Sequence, residues 1–239
     1  MVSKNELKLI TSLHQKKYRN KHQLFIVEGT KGVLELLESK IPLYKVFHTL
    51  AIQGLPEAKT EAISVAEMKK ISCLKTPGEV LAVFHMPEVK DDQAKGLILA
   101  LDNVRDPGNL GTIIRLCDWF GVSQLVCSES TVDCYNPKVV QATMGSLARV
   151  QINYLDLEHF LSSTDKPIYG AIMEGENVYK SKLAKDAILV MGNESNGIGS
   201  PILQKLSSTL SIPRFGSQQT ESLNVATATA ILLSEFNRS

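Results

Sequence analysis

The run SIPRFGSQQTESLNVATATAILLSEF, residues 211–236, joins a short apolar strand, a polar loop that contains glycine and a long helix. From Leu223 to Phe236, strong helix formers carry large apolar side chains at intervals among alanines and threonines, whose small size permits close packing. The loop at 214–224 places polar and charged residues just before this helix, where the first backbone N–H groups lack partners within the helix. The loop is therefore a candidate ligand site, although Ser222 or Asn224 acting only as a helix cap explains the same residues.

Length and composition indicate an ordinary soluble protein. With 239 residues, of which 44% are hydrophobic and 21% charged, the chain is expected to form one large or two modest domains. No apolar run approaches the ~20 residues that span a bilayer, and the basic amino terminus lacks the apolar segment of a secretory signal. We therefore expect a cytoplasmic protein with no membrane partner. The four cysteines are Cys73, Cys117, Cys127 and Cys134. Because none of them forms a CxxC pair, we expect free buried thiols and neither a metal site nor a disulfide.

The charge is distributed unevenly along the chain. Residues 1–90 contain 14 Lys and Arg against nine Asp and Glu, whereas residues 91–239 contain 12 against 16. The excess is densest at the start, where Glu6 is accompanied by six basic residues: Lys4, Lys8, Lys16, Lys17, Arg19 and Lys21. This pattern suits contact with a phosphate backbone, although a solvated helix face explains the charge equally well.

The hydrophobic pattern predicts two α/β domains. In the first, helices are expected at 3–18, 30–39 and 66–71, and strands at 23–27, 45–49, 62–65 and 80–85. A linker is expected at 86–96. In the second, the predicted strands are 97–101, 124–127, 149–154, 167–172 and 187–191, and the predicted helices are 110–120, 137–144 and 157–161. The expected domains are therefore residues 1–88 and 97–239.

Polar loops follow three of the predicted strands, at 102–109, 192–197 and 213–224. In an open α/β sheet, ligands bind at the carboxyl ends of the strands, so each of these loops lies at the normal place for a site, although each alone is a weak signal. Asn109 is a candidate cap for helix 110–120, which carries Arg115, and Arg115 could simply pair with Asp118 one turn further on. None of the loops matches a dinucleotide-binding or Walker phosphate signature.

Taken together and in order, the three loops resemble the signature motifs of the SpoU (TrmH-like) family of RNA ribose 2′-O-methyltransferases in the SPOUT superfamily. The resemblance lies in NLGTIIR at 109–115, in Gly192-Asn-Glu194 with Gly197, and in Ile212-Pro213 with Gly216 and Ser222-Leu-Asn224. It covers roughly residues 97–238. Phe25-Ile-Val-Glu-Gly29 in addition makes residues 1–88 similar to the ribosomal-protein-like RNA-binding domain of many members. Arg214-Phe215 departs from the methionine that often follows Ile-Pro in the family.

The resemblance implies a trefoil-knotted α/β methyltransferase domain, a homodimer, and S-adenosylmethionine as cofactor. It also implies an RNA substrate, rRNA first and tRNA second. The catalytic residues by this match are Asn109, Arg115, Glu194, Ser222 and Asn224, and the cofactor contacts are Gly192, Ile212 and Leu223. An arginine is a poor base at neutral pH, so Arg115 is expected to grip a substrate phosphate.

The same match assigns roles to the other polar side chains. Asn109 and Asn224 would orient the ribose or the arginine, Glu194 would fix Arg115 or a neighbouring side chain, and Ser222 would complete the network. A non-catalytic RNA-binding or ribosome-assembly protein of the same fold stays open as the alternative function.

Overall fold

A computed structural model describes residues 2–88, 95–216 and 222–238. The chain forms two compact units: unit 1 comprises Met1–Glu88 and Asp133–Arg149, and unit 2 comprises Val89–Val132 and Val150–Ser239. The α/β class expected from the sequence is confirmed. The units differ from the sequence-based boundaries in one segment, because residues 133–149 pack with the amino-terminal part of the chain. The two units are consequently joined at three places in the chain.

The elements of the described chain alternate between helices and strands. The helices are α1 (Lys4–Ser12), α2 (Lys16–His22), α3 (Thr30–Leu37), α4 (Val65–Ile71), α5 (Pro107–Phe120), α6 (Pro137–Thr143), α7 (Leu157–Ser162), α8 (Ser200–Leu203) and α9 (Val225–Arg238). The strands are β1 (Leu24–Glu28), β2 (Leu43–His48), β3 (Thr60–Ala62), β4 (Val80–His85), β5 (Ile98–Leu101), β6 (Gln124–Ser128), β7 (Gln151–Leu155), β8 (Ile168–Asn177), β9 (Ile188–Met191) and β10 (Ser208–Ser211). No described helix is long and apolar enough to cross a membrane.

Unit 1 is built on a four-stranded sheet in the order β1-β4-β2-β3. β4 runs antiparallel to both of its neighbours, and β2 and β3 are parallel. Every residue of β1, and every residue of β4 except His85, is buried, because helices cover this part of the sheet. The apolar runs that predicted these two strands thus correspond to the core of the unit.

A buried ion pair fastens the returning segment 133–149 to helix α2. Arg19 is only 2% exposed, and its guanidinium Nη2 lies 2.5 Å from the Asp133 carboxylate. Arg19 Nη1 also donates to the backbone carbonyls of Leu13 and His14. Because the guanidinium of Arg19 is bonded to these three groups inside the fold, Arg19 is not one of the surface cations that the charge pattern predicted.

The first predicted helix, 3–18, is interrupted in the structure. α1 ends at Ser12, and α2 begins only at Lys16 after a turn that buries Leu13. The buried Leu13 side chain and the two carbonyls that bind Arg19 require this turn, which no helical periodicity could reveal. The sequence-based strand at 62–65 is also displaced, because Ser64 and Glu67 form a capping box that starts α4 at Val65.

Unit 2 is built on a six-stranded sheet in the order β10-β8-β9-β5-β6-β7, with every pair parallel. The central strands β5, β6 and β9 are buried along their whole length. This is the reason that they read as continuous apolar runs instead of alternating ones. Helix α9 packs against α5, and Leu232, Leu233 and Phe236 of α9 are buried inside the unit.

Candidate active site

The candidate site lies at the carboxyl ends of two neighbouring strands of unit 2. β5 and β9 pair in register, with Leu101 opposite Met191, and both strands end there. The loops that follow, 102–106 and 192–199, therefore leave the sheet side by side. This arrangement places two of the three polar loops at one edge of the sheet, where ligands bind in open α/β sheets.

Two side chains lock these loops to each other. Asp102 accepts a hydrogen bond from the backbone N–H of Gly199 at 2.7 Å. Asn193 donates from Nδ2 to the carbonyl of Asn103 at 2.8 Å, while its Oδ1 accepts from the N–H groups of Ser195 and Asn196. The position of the second loop is thus fixed by bonds on both sides of Asn193.

Gly192 is required by the way this loop folds back on itself. Asn193 and Gly197 exchange backbone hydrogen bonds of 2.9 Å in both directions. A Cβ atom on residue 192 would lie 2.3 Å from the carbonyl carbon of Gly197, a distance that backbone atoms do not tolerate. Glycine at 192 therefore has a structural reason that is independent of any ligand.

Helix α5 begins earlier than the sequence predicted. Its cap is Asp106, whose Oδ1 accepts from the N–H of Asn109 at 2.7 Å, and Pro107 occupies the first turn. The expectation that Asn109 caps this helix is therefore wrong. Proline supports this start because its fixed φ suits the first helical position and its missing N–H costs nothing there. The Asn109 side chain is consequently released for other partners.

Three of the predicted site residues form a hydrogen-bonded chain. Asn224 Oδ1 caps helix α9 by accepting from the N–H groups of Ala226 and Thr227, so its other amide atom must be the donor. That Nδ2 donates to Asn109 Oδ1 at 2.9 Å, and Asn109 Nδ2 in turn donates to Glu194 Oε1 at 2.7 Å. The backbone of α9 thus determines the direction of every bond in this Asn224–Asn109–Glu194 chain. Asn224 serves as a cap and as a link at once.

Arg115 lies outside this chain of bonds. It is exposed on α5, six residues after Asn109, about 9 Å along the helix axis and about 120° around it. It makes no hydrogen bond or ion pair with a described residue, neither with Glu194 nor with Asp118. Glu194 therefore fixes Asn109, the neighbouring side chain, and does not fix the arginine.

Ser222 is not part of the hydrogen-bonded chain either. It is exposed, and no bond joins it to the described part of the protein. Most of the loop before it, residues 217–221, lies outside the described residues, and so do the polar positions that the sequence placed there. The expectation that Ser222 completes the network stays a prediction.

The predicted cofactor contacts offer backbone groups and apolar surface. Ile212 is half-buried, and Leu223 is 49% exposed beside the start of α9. Neither these residues nor Gly192 carries a charge, which suits a cationic sulfonium ligand with a flat adenine better than it suits a phosphate. The chemistry of this set therefore fits an adenosyl group.

Four residues that position the site were missed or misread from the sequence: Asp102, Asn103, Asp106 and Asn193. Asp106 had a usable signal, since an Asp before Pro marks a helix start. Asn103 adopts a left-handed backbone conformation with φ of 60°, and no sequence pattern around it predicts this conformation. Its N–H donates to the hydroxyl of Ser128 at 2.8 Å, on the neighbouring strand β6.

Known proteins match this chain over both parts of its length. The family model described as SpoU rRNA Methylase family matches residues 96–234, and one described as MRM3-like substrate binding domain matches residues 4–82. The 23S rRNA (guanosine(2553)-2′-O)-methyltransferase RlmP of Bacillus subtilis is 33% identical over 92% of this chain and 91% of its own.

Two solved structures extend the likeness to the fold. A protein assigned to the TrmH family of RNA methyltransferases from Porphyromonas gingivalis shares 38% identity and a TM-score of 0.90, covering 100% of this chain and 99% of its own. An AdoMet-bound rRNA methyltransferase from Sinorhizobium meliloti shares 29% identity and a TM-score of 0.86, covering 100% of this chain and 97% of its own.

These matches identify the class of protein as an α/β RNA methyltransferase. The chain belongs to the SpoU rRNA methylase family. It is an RNA methyltransferase that uses S-adenosylmethionine and modifies a ribose 2′-hydroxyl, as the sequence predicted.

Proposed function

We propose that this protein methylates a ribose 2′-hydroxyl in 23S rRNA, with Arg115 as the side chain that holds the RNA. The choice of RNA rests on the B. subtilis relative, which is named as a 23S rRNA enzyme and aligns along nearly the whole of both chains. The assignment of Arg115 rests on one observation. It is an exposed cation on α5, the helix that also carries Asn109, and it has no hydrogen-bond or ion-pair partner among the described residues.

Arg115 grips the phosphate next to the target ribose. A guanidinium stays protonated at neutral pH and presents several donors in a plane, which matches phosphate oxygens. Since no described carboxylate neutralises it, its charge is available to the substrate and to the oxygen that becomes negative as the 2′-hydroxyl reacts.

The Asn224–Asn109–Glu194 chain holds two neutral amides and one carboxylate in fixed directions. Because the cap of α9 determines the direction of each bond, Asn109 cannot flip its amide without breaking two hydrogen bonds of 2.7 and 2.9 Å. Asn109 and Asn224 then orient the ribose, and Ser222 extends the set when RNA is bound. Positioning of this kind contributes to catalysis by removing rotational freedom from the reacting groups.

Gly192, Ile212 and Leu223 contact the cofactor, largely through their backbone groups. When bound, S-adenosylmethionine supplies an electrophilic methyl group on a sulfonium. The loop that Asn193 and Asp102 lock in place keeps Gly192 at a fixed position relative to the end of β5. This arrangement supports a preformed wall on one side of the cofactor.

Several further properties are part of the proposal. Residues 1–88 bind the RNA, the chain of unit 2 forms a trefoil knot, and the protein acts as a cytoplasmic homodimer. The dimer is supported by exposed apolar side chains in unit 2, such as Trp119, which is 83% exposed, and Phe215. α5 carries the exposed Trp119, whereas the side chains of Leu232, Leu233 and Phe236 on α9 are buried, so α5 is the better candidate for the dimer contact.

The test is methyl transfer from labelled S-adenosylmethionine to 23S rRNA transcribed in vitro, followed by mapping of the modified ribose. We expect one modified ribose in 23S rRNA and none in 16S rRNA or in a tRNA pool. Transfer to tRNA alone would replace the proposed substrate. Cofactor binding without transfer to any of these RNAs would contradict the catalytic assignment. Sedimentation at micromolar concentration tests the dimer separately, and a monomer mass would contradict it.

A further inference from the structure

An open groove lies between helices α1 and α2 of unit 1. It has a volume of about 640 Å³, and its lining includes Asn5, Lys8, Leu9, Gln15, Tyr18 and Lys21. Leu9 and Tyr18 are the half-buried apolar members of this lining, and Lys8, Lys21 and His22 are exposed. No carboxylate belongs to it. We call this feature the α1–α2 groove.

The electrostatic character of the groove follows from how nearby charges are used. Glu6 is the only acidic residue of α1 and α2, and its carboxylate lies 2.5 Å from the ammonium of Lys45. The hydrogen bond from Lys45, with that from Ser3, lowers the pKa of Glu6 to about 2, so this carboxylate is ionised and already paired. Arg19 forms an ion pair with Asp133 in the interior. The lysines at the groove therefore face solvent without a described counter-charge.

We propose that the α1–α2 groove binds a segment of the RNA sugar-phosphate backbone away from the target ribose, with Lys8 and Lys21 contacting phosphates. The inference rests on the proposed function and assigns the RNA-binding role of unit 1 to one surface. The geometry fits a strand of RNA: apolar side chains at Leu9 and Tyr18 face sugars or bases, and amides at Asn5 and Gln15 offer hydrogen bonds to either. The match of residues 4–82 to a substrate binding domain agrees with this placement.

The experiment compares two double charge reversals. Lys8→Glu with Lys21→Glu changes the groove, and Lys69→Glu with Lys70→Glu makes the same change of net charge at two exposed lysines of α4. The probe is 23S rRNA transcribed in vitro, with binding measured by filter retention from low to moderate salt. Thermal unfolding establishes that both variants are folded.

We expect the groove variant to bind the transcript roughly tenfold or more weakly, and the slope of log K against log salt to fall by about 0.7 to 0.9 for each lost phosphate contact. The α4 variant should change affinity less than threefold. In methyl transfer, the groove variant should raise KM for RNA and keep kcat and S-adenosylmethionine affinity unchanged. Equal weakening by both variants, or unchanged affinity in the groove variant, would overturn the inference.

The outcome separates this inference from the proposed function. A wild-type protein that binds the transcript through the groove but transfers no methyl group contradicts the function and leaves the groove assignment standing. A wild-type protein that methylates 23S rRNA while the groove variant binds normally contradicts only the groove.

Discussion

Helix α2 and helix α5 each carry one arginine, and the two have opposite environments. Arg19 on α2 is buried, bonded to the Asp133 carboxylate and to two backbone carbonyls. Arg115 on α5 is exposed and unbonded to any described residue. Both are candidates for phosphate contact from the sequence, Arg19 by the charge pattern and Arg115 by the motif match. The comparison teaches that a cation serves a ligand only where the fold has not already given it a counter-charge.

The largest expected effect is the loss of stability on removing Arg19. In Arg19→Ala, Asp133 is left as a nearly buried charge without its partner, and two carbonyls lose a donor, so unfolding should become easier by about 3 to 5 kcal/mol. Urea unfolding measures this. Arg238→Ala, which breaks an exposed pair with Glu235, is the matched control and should cost less than about 1 kcal/mol. Similar losses of unfolding free energy in the two variants would mean that the buried Arg19–Asp133 pair stabilises the protein no more than an exposed pair does.

Removal of Arg115 should lower activity and leave stability nearly unchanged, which is the reverse of the effect expected for Arg19. Arg115→Ala should lower kcat by about 10² to 10³, the range seen when one group that stabilises developing charge is lost. Thermal stability and S-adenosylmethionine affinity should remain near wild type, because the side chain is exposed and the predicted cofactor contacts lie in other loops. Methyl transfer and cofactor titration are measured on the same preparation.

Arg115→Lys is the companion variant for this prediction. It keeps the charge but loses the planar set of donors, so partial activity is expected. Full activity in Arg115→Ala would remove the arginine from the mechanism, and a large fall in stability would make its role structural.

Glu194 allows the hydrogen bond and the charge to be separated. Gln at 194 retains an oxygen that can accept from Asn109, whereas Ala leaves the Asn109 amide without an acceptor. We expect Glu194→Ala to lower kcat by about tenfold, corresponding to roughly 1.4 kcal/mol, and Glu194→Gln to lower it less. Equal and large losses in both would mean that the negative charge matters, for example to Arg115 once RNA is bound.

Much of the fold is predictable because buried strands appear in the sequence as continuous apolar runs. β4 at 80–85 has the predicted bounds, and the runs at β5 and β9 announce a parallel sheet covered on both faces. The start of α4 and the break between α1 and α2 are local exceptions, produced by the capping box at Ser64 and by the burial of Leu13. The α/β class did not depend on either.

The return of residues 133–149 to unit 1 could not be predicted from the sequence. It depends on pairs more than a hundred residues apart, Arg19 with Asp133 and Phe25 against Tyr135, whose rings lie 4.8 Å apart. Periodicity describes one element at a time and carries no information on such partners. Deleting 1–88 would therefore also expose the buried side chains of 133–149.

Three hydrogen-bonded residues of the candidate site were predictable from the sequence, but their bonds and the residues that position them were not. The motif match identified Asn109, Glu194 and Asn224, and the structure brings these three together. It could not reveal that Asp106 takes over the cap of α5, which is the reason that Asn109 is available. Nor could it reveal the lock formed by Asn193, because that bond goes to a backbone carbonyl whose position depends on the left-handed Asn103.

The smallest expected effect concerns Glu6. Its ion pair with Lys45 is partly exposed, and its solvent exposure therefore lies between that of buried Arg19 and that of exposed Arg115. The hydrogen bond from Lys45 is the largest cause that lowers the pKa of Glu6, to about 2 from an ordinary value of 4.5. A lowered folded pKa stabilises the protein above pH 4.5, and this contribution is lost as the pH falls from 4.5 toward 2.

Glu6→Gln should accordingly destabilise unit 1 by about 1 kcal/mol at pH 7, a modest value because both side chains are partly exposed and Lys45 keeps Glu61 as a second partner. Urea unfolding at pH 7 and pH 3 measures the change, and the difference between wild type and variant should shrink at the lower pH. Glu57→Gln, at an exposed glutamate of the same unit, controls for the loss of one charge. A difference that is equal at both pH values would mean that the lowered pKa of the Glu6 carboxylate, which Lys45 and Ser3 both cause, is not the source of the effect.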